Sequence, residues 1–316
     1  MTTNTILPQK IRRSWLLVPA SQKERSVTAA KSNADVVLLD LVEFVSDRDK
    51  PSAREGIAET VRELREGGAE VFVQVDSELL YADLHACVCP ELTGIVIAHL
   101  ESIAQIQEAD TLLSQLEDER GILSGALEIV ASLETAQANQ DAFQIATASP
   151  RISGLTLGRA ELVMDLRPEP SGEIHLMQYL MQRLITVAGA VGVQPYGAWC
   201  REPDRGLLAT PENTSNAAIR GRAVGFKGSF CVLENQVEPL NSGFTPGAQE
   251  VDEASQLLKQ YQAAVTEGAA SIRIADRIFD AGASLQAQAT IDRASKIAVH
   301  DQAKADAQAG RPVPAP

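Results

Sequence analysis

Ala126-Leu127-Glu128-Ile129-Val130-Ala131-Ser132-Leu133-Glu134-Thr135-Ala136 is an apolar run that stops at a carboxylate set among small and polar residues. The run does not alternate cleanly, as befits a strand buried on both faces. A second run, Gly154–Leu157, leads into Gly158-Arg159-Ala160-Glu161-Leu162. Two glutamates at neighbouring strand ends, Glu134 and Glu161, can hold one divalent cation over a barrel mouth.

Outward from this stretch, six further apolar runs share its character: Ser14–Pro19, Asp35–Leu41, Glu70–Val75, Gly94–Ala98, Val191–Trp199 and Gly225–Val232. Helix-like segments separate them. Ser52–Gly67 carries Ile57, Val61 and Leu64 at helical spacing, and Ser102–Leu116, Ala136–Ala148, His175–Ala190 and Glu212–Val224 behave similarly. Gly or Asp often precedes the next run, a helix stop followed by a strand. Eight such alternations predict an α/β fold, a (β/α)8 barrel. The competing doubly wound sheet would usually carry a Gly-rich turn after its first strand, and here that turn is Pro19-Ala20-Ser21-Gln22.

The expected organisation is a polar leader over 1–11, a barrel over 12–246, a helical segment over 247–309 and a disordered tail over 310–316. Ala248–Glu267 and Ala270–Ile297 are Ala/Gln-rich and helical in pattern, with too little apolar surface to fold alone. They are expected to pack on the barrel or on a neighbouring subunit.

The 316 residues carry a formal net charge of −14. That disfavours nucleic acid and anionic membranes as partners, although a local basic pocket could still bind an anion. Four sparse cysteines (Cys87, Cys89, Cys200, Cys231) read as reduced thiols of a cytoplasmic protein. No stretch reads as a signal peptide or a membrane span.

Barrel chemistry sits at the carboxyl ends of the strands. Asp40 and Glu43 end the second run, where two carboxylates near a cation can position water or move a proton. Asp40 capping its turn and Glu43 facing solvent is the plain alternative. His99 ends the fourth run and could donate to an anionic intermediate, or simply pack. Gln74 ends the third run and offers only neutral hydrogen bonds. Arg159 stands beside the glutamate pair, to bind a substrate carboxylate or to neutralise the acids. Arg25 lies one turn into the first helix, within reach of a phosphate or carboxylate. Arg12 and Arg13 read as surface residues.

These stretches together resemble the HpcH/HpaI aldolase and citrate lyase β-subunit (CitE-like) family. The similarity is carried by Arg13–Pro19 with Glu24-Arg25, Ala34–Leu41, Asp49-Lys50 with Ala53-Arg54, and Gly94–Ile97 with Leu100-Glu101-Ser102. It continues through Leu133–Ala136, Ala148–Leu155 with Gly158 and Glu161-Leu162, Gly225–Cys231, and Glu238–Asn241 with Phe244-Thr245-Pro246. The resemblance implies a TIM barrel of the phosphoenolpyruvate/pyruvate type, assembled as a homotrimer or homohexamer, with the C-terminal helical segment against a neighbouring subunit. It also implies Mg2+ (Mn2+ is a possible substitute) on Glu134 and Glu161. The implied activity is cleavage or formation of carbon–carbon bonds in hydroxy- or oxo-acids or their coenzyme A thioesters.

Departures fall where that chemistry belongs. The family's Leu-Glu-Asp reads Leu41-Val42-Glu43, its strand-three arginine reads Gln74, and its strand-four Pro-Lys reads Ala98-His99. The strand-one Pro-Gly reads Pro19-Ala20, and Glu161 is one methylene longer than the usual aspartate. Glu43, Asp40, His99 and Arg159 are the expected catalytic groups, and Gln74, Arg159, Ala20 and Arg25 the expected substrate contacts. Three functions stay open: a divergent Mg2+-dependent lyase or aldolase, the same barrel repurposed for thioester hydrolysis, decarboxylation or isomerisation, and a non-catalytic homologue.

Overall fold

In the computed structural model, residues 10–158, 162, 165, 166, 176–198, 210–274 and 276–311 are described. Val-, Ile- and Leu-rich segments form strands β1 (Ser14–Pro19), β2 (Val36–Asp40), β3 (Glu70–Asp76) and β4 (Gly94–Leu100). β5 (Glu128–Leu133), β6 (Ile152–Leu157), β7 (Gln194–Pro195) and β8 (Ser229–Cys231) complete the set. All pair in parallel in the order β7-β6-β5-β4-β3-β2-β1-β8. A parallel bridge between Tyr196 and Gly228 joins the two ends. Gly197 N donates to Gly228 O at 2.7 Å and Lys227 N to Pro195 O at 2.9 Å, so the sheet closes into the expected barrel.

The helices between strands are α1 (Lys23–Ala30), α2 (Lys50–Glu55), α3 (Ile57–Glu66), α4 (Leu80–Cys87) and α5 (Ile103–Glu119). They continue with α6 (Ala136–Gln140), α7 (Ala142–Ala146), α8 (Leu176–Val191), α9 (Pro211–Val224) and α10 (Val237–Gly243). Two helices expected as single segments are broken, one at Gly56 and one at Asp141. β7 is shorter than the run Val191–Trp199 suggested: α8 takes Val191, Gly192 turns with φ 82°, and Trp199 lies outside the described residues.

Alternation along each strand sorts the core into two shells. Val37, Leu39, Val71, Val73, Ile95, Ile97, Ile129 and Ala131 face outward and pack with helix residues such as Leu64, Ile106 and Leu113. Trp15, Leu17, Val36, Leu38, Phe72, Val96, Val130 and Tyr196 fill the interior. Trp15 lies 4.8 Å from both Phe72 and Tyr196, ring centre to ring centre, and 5.1 Å from Phe230. Gly154 makes room for this cluster, since a Cβ there would stand 2.4 Å from the Tyr196 ring.

Below the aromatic layer, Arg12 is only 2% exposed. Its guanidinium grips Glu128 with two bonds of 2.7 and 2.9 Å, bonds Glu70 through Nε, and lies 4.8 Å from the Phe72 ring centre. Arg13 is buried as well and makes a forked pair with Asp35 at 2.8 and 3.0 Å. The surface role expected for both arginines is therefore corrected. Neighbours distant in sequence supply acids at the starts of β3 and β5 and just ahead of β2, and these partners make burial of a guanidinium tolerable.

The chain divides into two compact units, Met1–Phe244 and Thr245–Pro316. In the second, α11 (Ala248–Thr266) is followed by an antiparallel hairpin, β9 (Ile272–Ile274) with β10 (Arg277–Phe279), and then by α12 (Ala281–Gln308). The hairpin replaces the start of the helix expected over 270–297. Gly268 ends α11 with φ 91°, and Phe279 packs edge-on to Tyr261 at 5.6 Å. Of the expected leader, Ile11 is buried and Lys10 is paired to Glu70 and Glu128 at 3.1 and 2.9 Å, and residues 1–9 lie outside the described residues. In the expected disordered tail, Arg311 pairs with Asp306 at 2.6 Å, and residues 312–316 lie outside the described residues. Cys87, Cys89 and Cys231 are free and buried, and Cys200 lies outside the described residues. No described helix is long and apolar enough to cross a membrane.

Burial alone would push Glu128 up, but the Arg12 hydrogen bonds hold it down at about 2, against an ordinary 4.5. A depressed carboxylate stabilises the fold above its unfolded pKa, and that stabilisation is lost as pH falls through the folded one. Glu128→Gln is expected to cost about 3 kcal/mol at pH 7. Urea unfolding should show this gap to wild type narrowing between pH 4.5 and 2.

Candidate functional site

Asp40, Gln74 and Asp76 continue the inward-facing parity of β2 and β3 to the carboxyl end of the barrel. Asp40 is fully buried, and its two oxygens accept the amides of Val42 at 2.8 Å, Glu43 at 3.0 Å and Phe44 at 2.7 Å. Burial pushes this carboxyl up against the pull of those amides and of Lys50. The carboxylate thereby folds the chain after β2 into a tight loop, and Glu43 stands exposed on it.

β4 ends irregularly. Its register with β5 shifts between Ile97 and Leu100, and both of these residues pack outward. Ala98 and His99 occupy the bulge between them, and His99 takes φ 52°, left-handed backbone rare for a side chain of its size. Several contacts pin it there. His99 N donates to Glu134 Oε2 at 2.6 Å, and Ser77 Oγ donates to His99 O at 2.6 Å. The imidazole Nδ1 lies 3.4 Å from Asp76 Oδ1, and Lys50 Nζ lies 3.9 Å from the other Asp76 oxygen. Burial pulls the His99 pKa down, but facing carboxylates from Glu134, Asp76 and Glu43 outweigh it and the net shift is upward.

Glu134 follows β5 and is 3% exposed. It lies flat against Gly158, where a Cβ would stand 2.2 Å from Glu134 Cγ. The next residue, Thr135, caps α6 by accepting Ala138 N at 3.0 Å. Position 134 is thus held between a strand end and a capped helix start.

Glu43, His99 and Glu134 each bring one ligand atom within 4.8 Å of the others. Two carboxylates and an imidazole at that spacing can share one divalent cation. Among the expected site residues, these three are brought together. Ala20 N donates to Asp40 O at 2.9 Å, and Gln74 is buried at the end of β3. Arg25 donates to Val232 O at 2.7 Å and pairs with Glu234 at 3.2 Å, which ties α1 to the end of β8. Arg159 and Glu161 lie outside the described residues. Sequence reasoning assigned no role to Asp76, Ser77 or Gly158. Asp76 shares the parity of Gln74 and could have been found from it. Gly158 is among the residues that carry the resemblance, but nothing in the sequence pointed to its contact with Glu134.

A cavity of about 170 Å3 lies at the opposite end, lined by Lys10, Arg12, Leu127, Glu128, Arg151 and Gln194. Its charged groups pair with each other or with nearby acids, as Arg151 does with Glu117 at 2.6 and 2.7 Å. The mouth, not this cavity, holds the convergent ligand atoms.

The family model of HpcH/HpaI aldolase/citrate lyase matches residues 13–232. Citrate lyase subunit beta of Haemophilus influenzae is 25% identical over 90% of this chain and 97% of its own length. The L-malyl-CoA/beta-methylmalyl-CoA lyase of Rhodobacter capsulatus is 25% identical over 92% of this chain and 97% of its own. In structure, the chain resembles CitE of Mycobacterium tuberculosis, solved in complex with magnesium, acetoacetate and coenzyme A. That match has a TM-score of 0.68, 22% identity, and coverage of 89% of this chain and 97% of the other.

Gly158→Ala should force Glu134 to move, because the new methyl would overlap its Cγ. A loss of about 1–3 kcal/mol is expected. Chemical denaturation measures the loss, and a crystal structure of the variant would show Glu134 rotated away from the His99 amide.

Proposed function

The chain belongs to the HpcH/HpaI aldolase/citrate lyase family, and on that premise we propose that it cleaves or forms a carbon–carbon bond in a hydroxy- or oxo-acid, or in its coenzyme A thioester, with a divalent cation at the barrel mouth. The observation that carries this reading is the convergence of Glu134 with Glu43 and His99 at the carboxyl ends of the strands. Magnesium, the ion bound in the CitE neighbour, fits two carboxylate ligands with water completing its shell. When bound, the cation supplies positive charge for the oxyanion that develops as the bond breaks.

The residues divide the remaining work. Glu134, held by the His99 amide and by the bare Cα of Gly158, is the fixed carboxylate ligand. Glu43 is exposed at the mouth and, beside the cation rather than as its fixed ligand, takes the hydroxyl proton of the substrate through water in the cleavage direction. Asp40 is a positioning residue, because its oxygens are committed to the loop that carries Glu43. Gln74 offers the substrate neutral hydrogen bonds where a guanidinium would grip a carboxylate. Arg159 is the proposed carboxylate anchor and Glu161 the second acidic ligand, both on the strength of sequence position.

The test is a panel of 3-hydroxyacyl-CoA thioesters and 4-hydroxy-2-oxo acids, assayed for cleavage with and without Mg2+. On the substrate that turns over, Glu134→Gln is expected to lower kcat/KM at least about 100-fold, and Glu43→Gln to lower kcat more than it raises KM. Full activity in Glu134→Gln would sink the cation reading. Asp40→Asn should lose stability together with activity, since both follow from loosening the same loop.

A further inference from the structure

Magnesium prefers hard oxygen donors and keeps several waters, so an all-carboxylate mouth would suit it. The mouth of this chain also presents a nitrogen: His99 shares the 4.8 Å ligand-atom cluster with Glu43 and Glu134. We propose that His99 is a protein ligand beside Glu134, and that the mouth selects a first-row transition cation of the Zn2+ or Co2+ class over Mg2+. This rests on the cation reading above and adds the identity of the ion and of one ligand.

Three observations converge on it. The ring is oriented by a charge contact, since Asp76 Oδ1 lies 3.4 Å from Nδ1. A carboxylate beside one imidazole nitrogen orients the ring, as such partners orient metal-ligating histidines. The backbone delivers the ring to the acids, because the bulge at Ala98-His99 binds Glu134 through the His99 amide at 2.6 Å. The same residue thus orients one ligand with its main chain and offers another with its side chain. Finally, the donor set is mixed. Imidazole nitrogen adds little for Mg2+ but a great deal for Zn2+ and its neighbours.

Asn is the substitution of choice at position 99, because it tolerates left-handed backbone and keeps the amide that holds Glu134. Wild type, His99→Asn, Asp76→Asn and Glu134→Gln are each titrated calorimetrically with Zn2+, Co2+ and Mg2+, and the visible absorption of the Co2+ forms is recorded. His99→Asn should weaken Zn2+ and Co2+ at least about tenfold, shift the Co2+ bands, and leave Mg2+ affinity within about threefold. Asp76→Asn should weaken Zn2+ and Co2+ about tenfold through the ring it orients. It serves as the second variant should His99→Asn fail to fold, with the melting temperature of the metal-free protein as the check. Unchanged Co2+ affinity and spectrum in a folded His99→Asn overturns the imidazole ligand. If Glu134→Gln then still abolishes Mg2+ binding, the cation reading stands without it. A wild type that binds none of the three ions overturns both.

Discussion

Arg12 is a full positive charge sealed beneath the barrel interior, and the ring of strands is organised around keeping it paired. Glu70 and Glu128 stand at the first residues of β3 and β5, so one guanidinium braces the entry of β1 to two strands further round the ring. Above it, Trp15, Phe72 and Tyr196 close the interior to water. Removing either acid would leave the buried guanidinium one carboxylate short, which costs more than the pair gains over an apolar filling. The charge-locked end is set apart from the other, which carries exposed carboxylates, a bulge and a left-handed residue.

The barrel was legible because parallel strands buried on both faces leave a distinctive trace, short Val/Ile/Leu runs separated by helical periodicity. Boundaries were less so. β7 shrank to Gln194–Pro195, where a helix and a strand compete for the same apolar residues. The hairpin in Ile272–Phe279 hid inside an Ala/Gln-rich stretch, since three-residue strands leave almost no period to detect. Arg12 and Arg13 read as surface residues because their acids lie 22 to 116 positions away. Charge looks exposed in sequence until its partner is placed.

At the mouth, sequence position put Glu134 and Glu43 at strand ends but did not show what supports them. Asp40 acts on backbone amides two to four residues ahead, Asp76 on the His99 ring, and Gly158 on Glu134 by having no side chain. Each works through contact across strands or within a loop, which spacing along one chain does not encode. The ligand cluster is therefore as much a product of these supporting contacts as of the acids themselves.

The hydrogen bond from His99 to Glu134 is made by the main chain. That bond to the carboxylate is thus available to any side chain at position 99 that accepts left-handed backbone. Position 99 is in this sense a socket: the fold holds the base, and the group plugged into it can be exchanged. A barrel built this way can trade one ligand chemistry for another by a single substitution, without rebuilding the strand end that aims it.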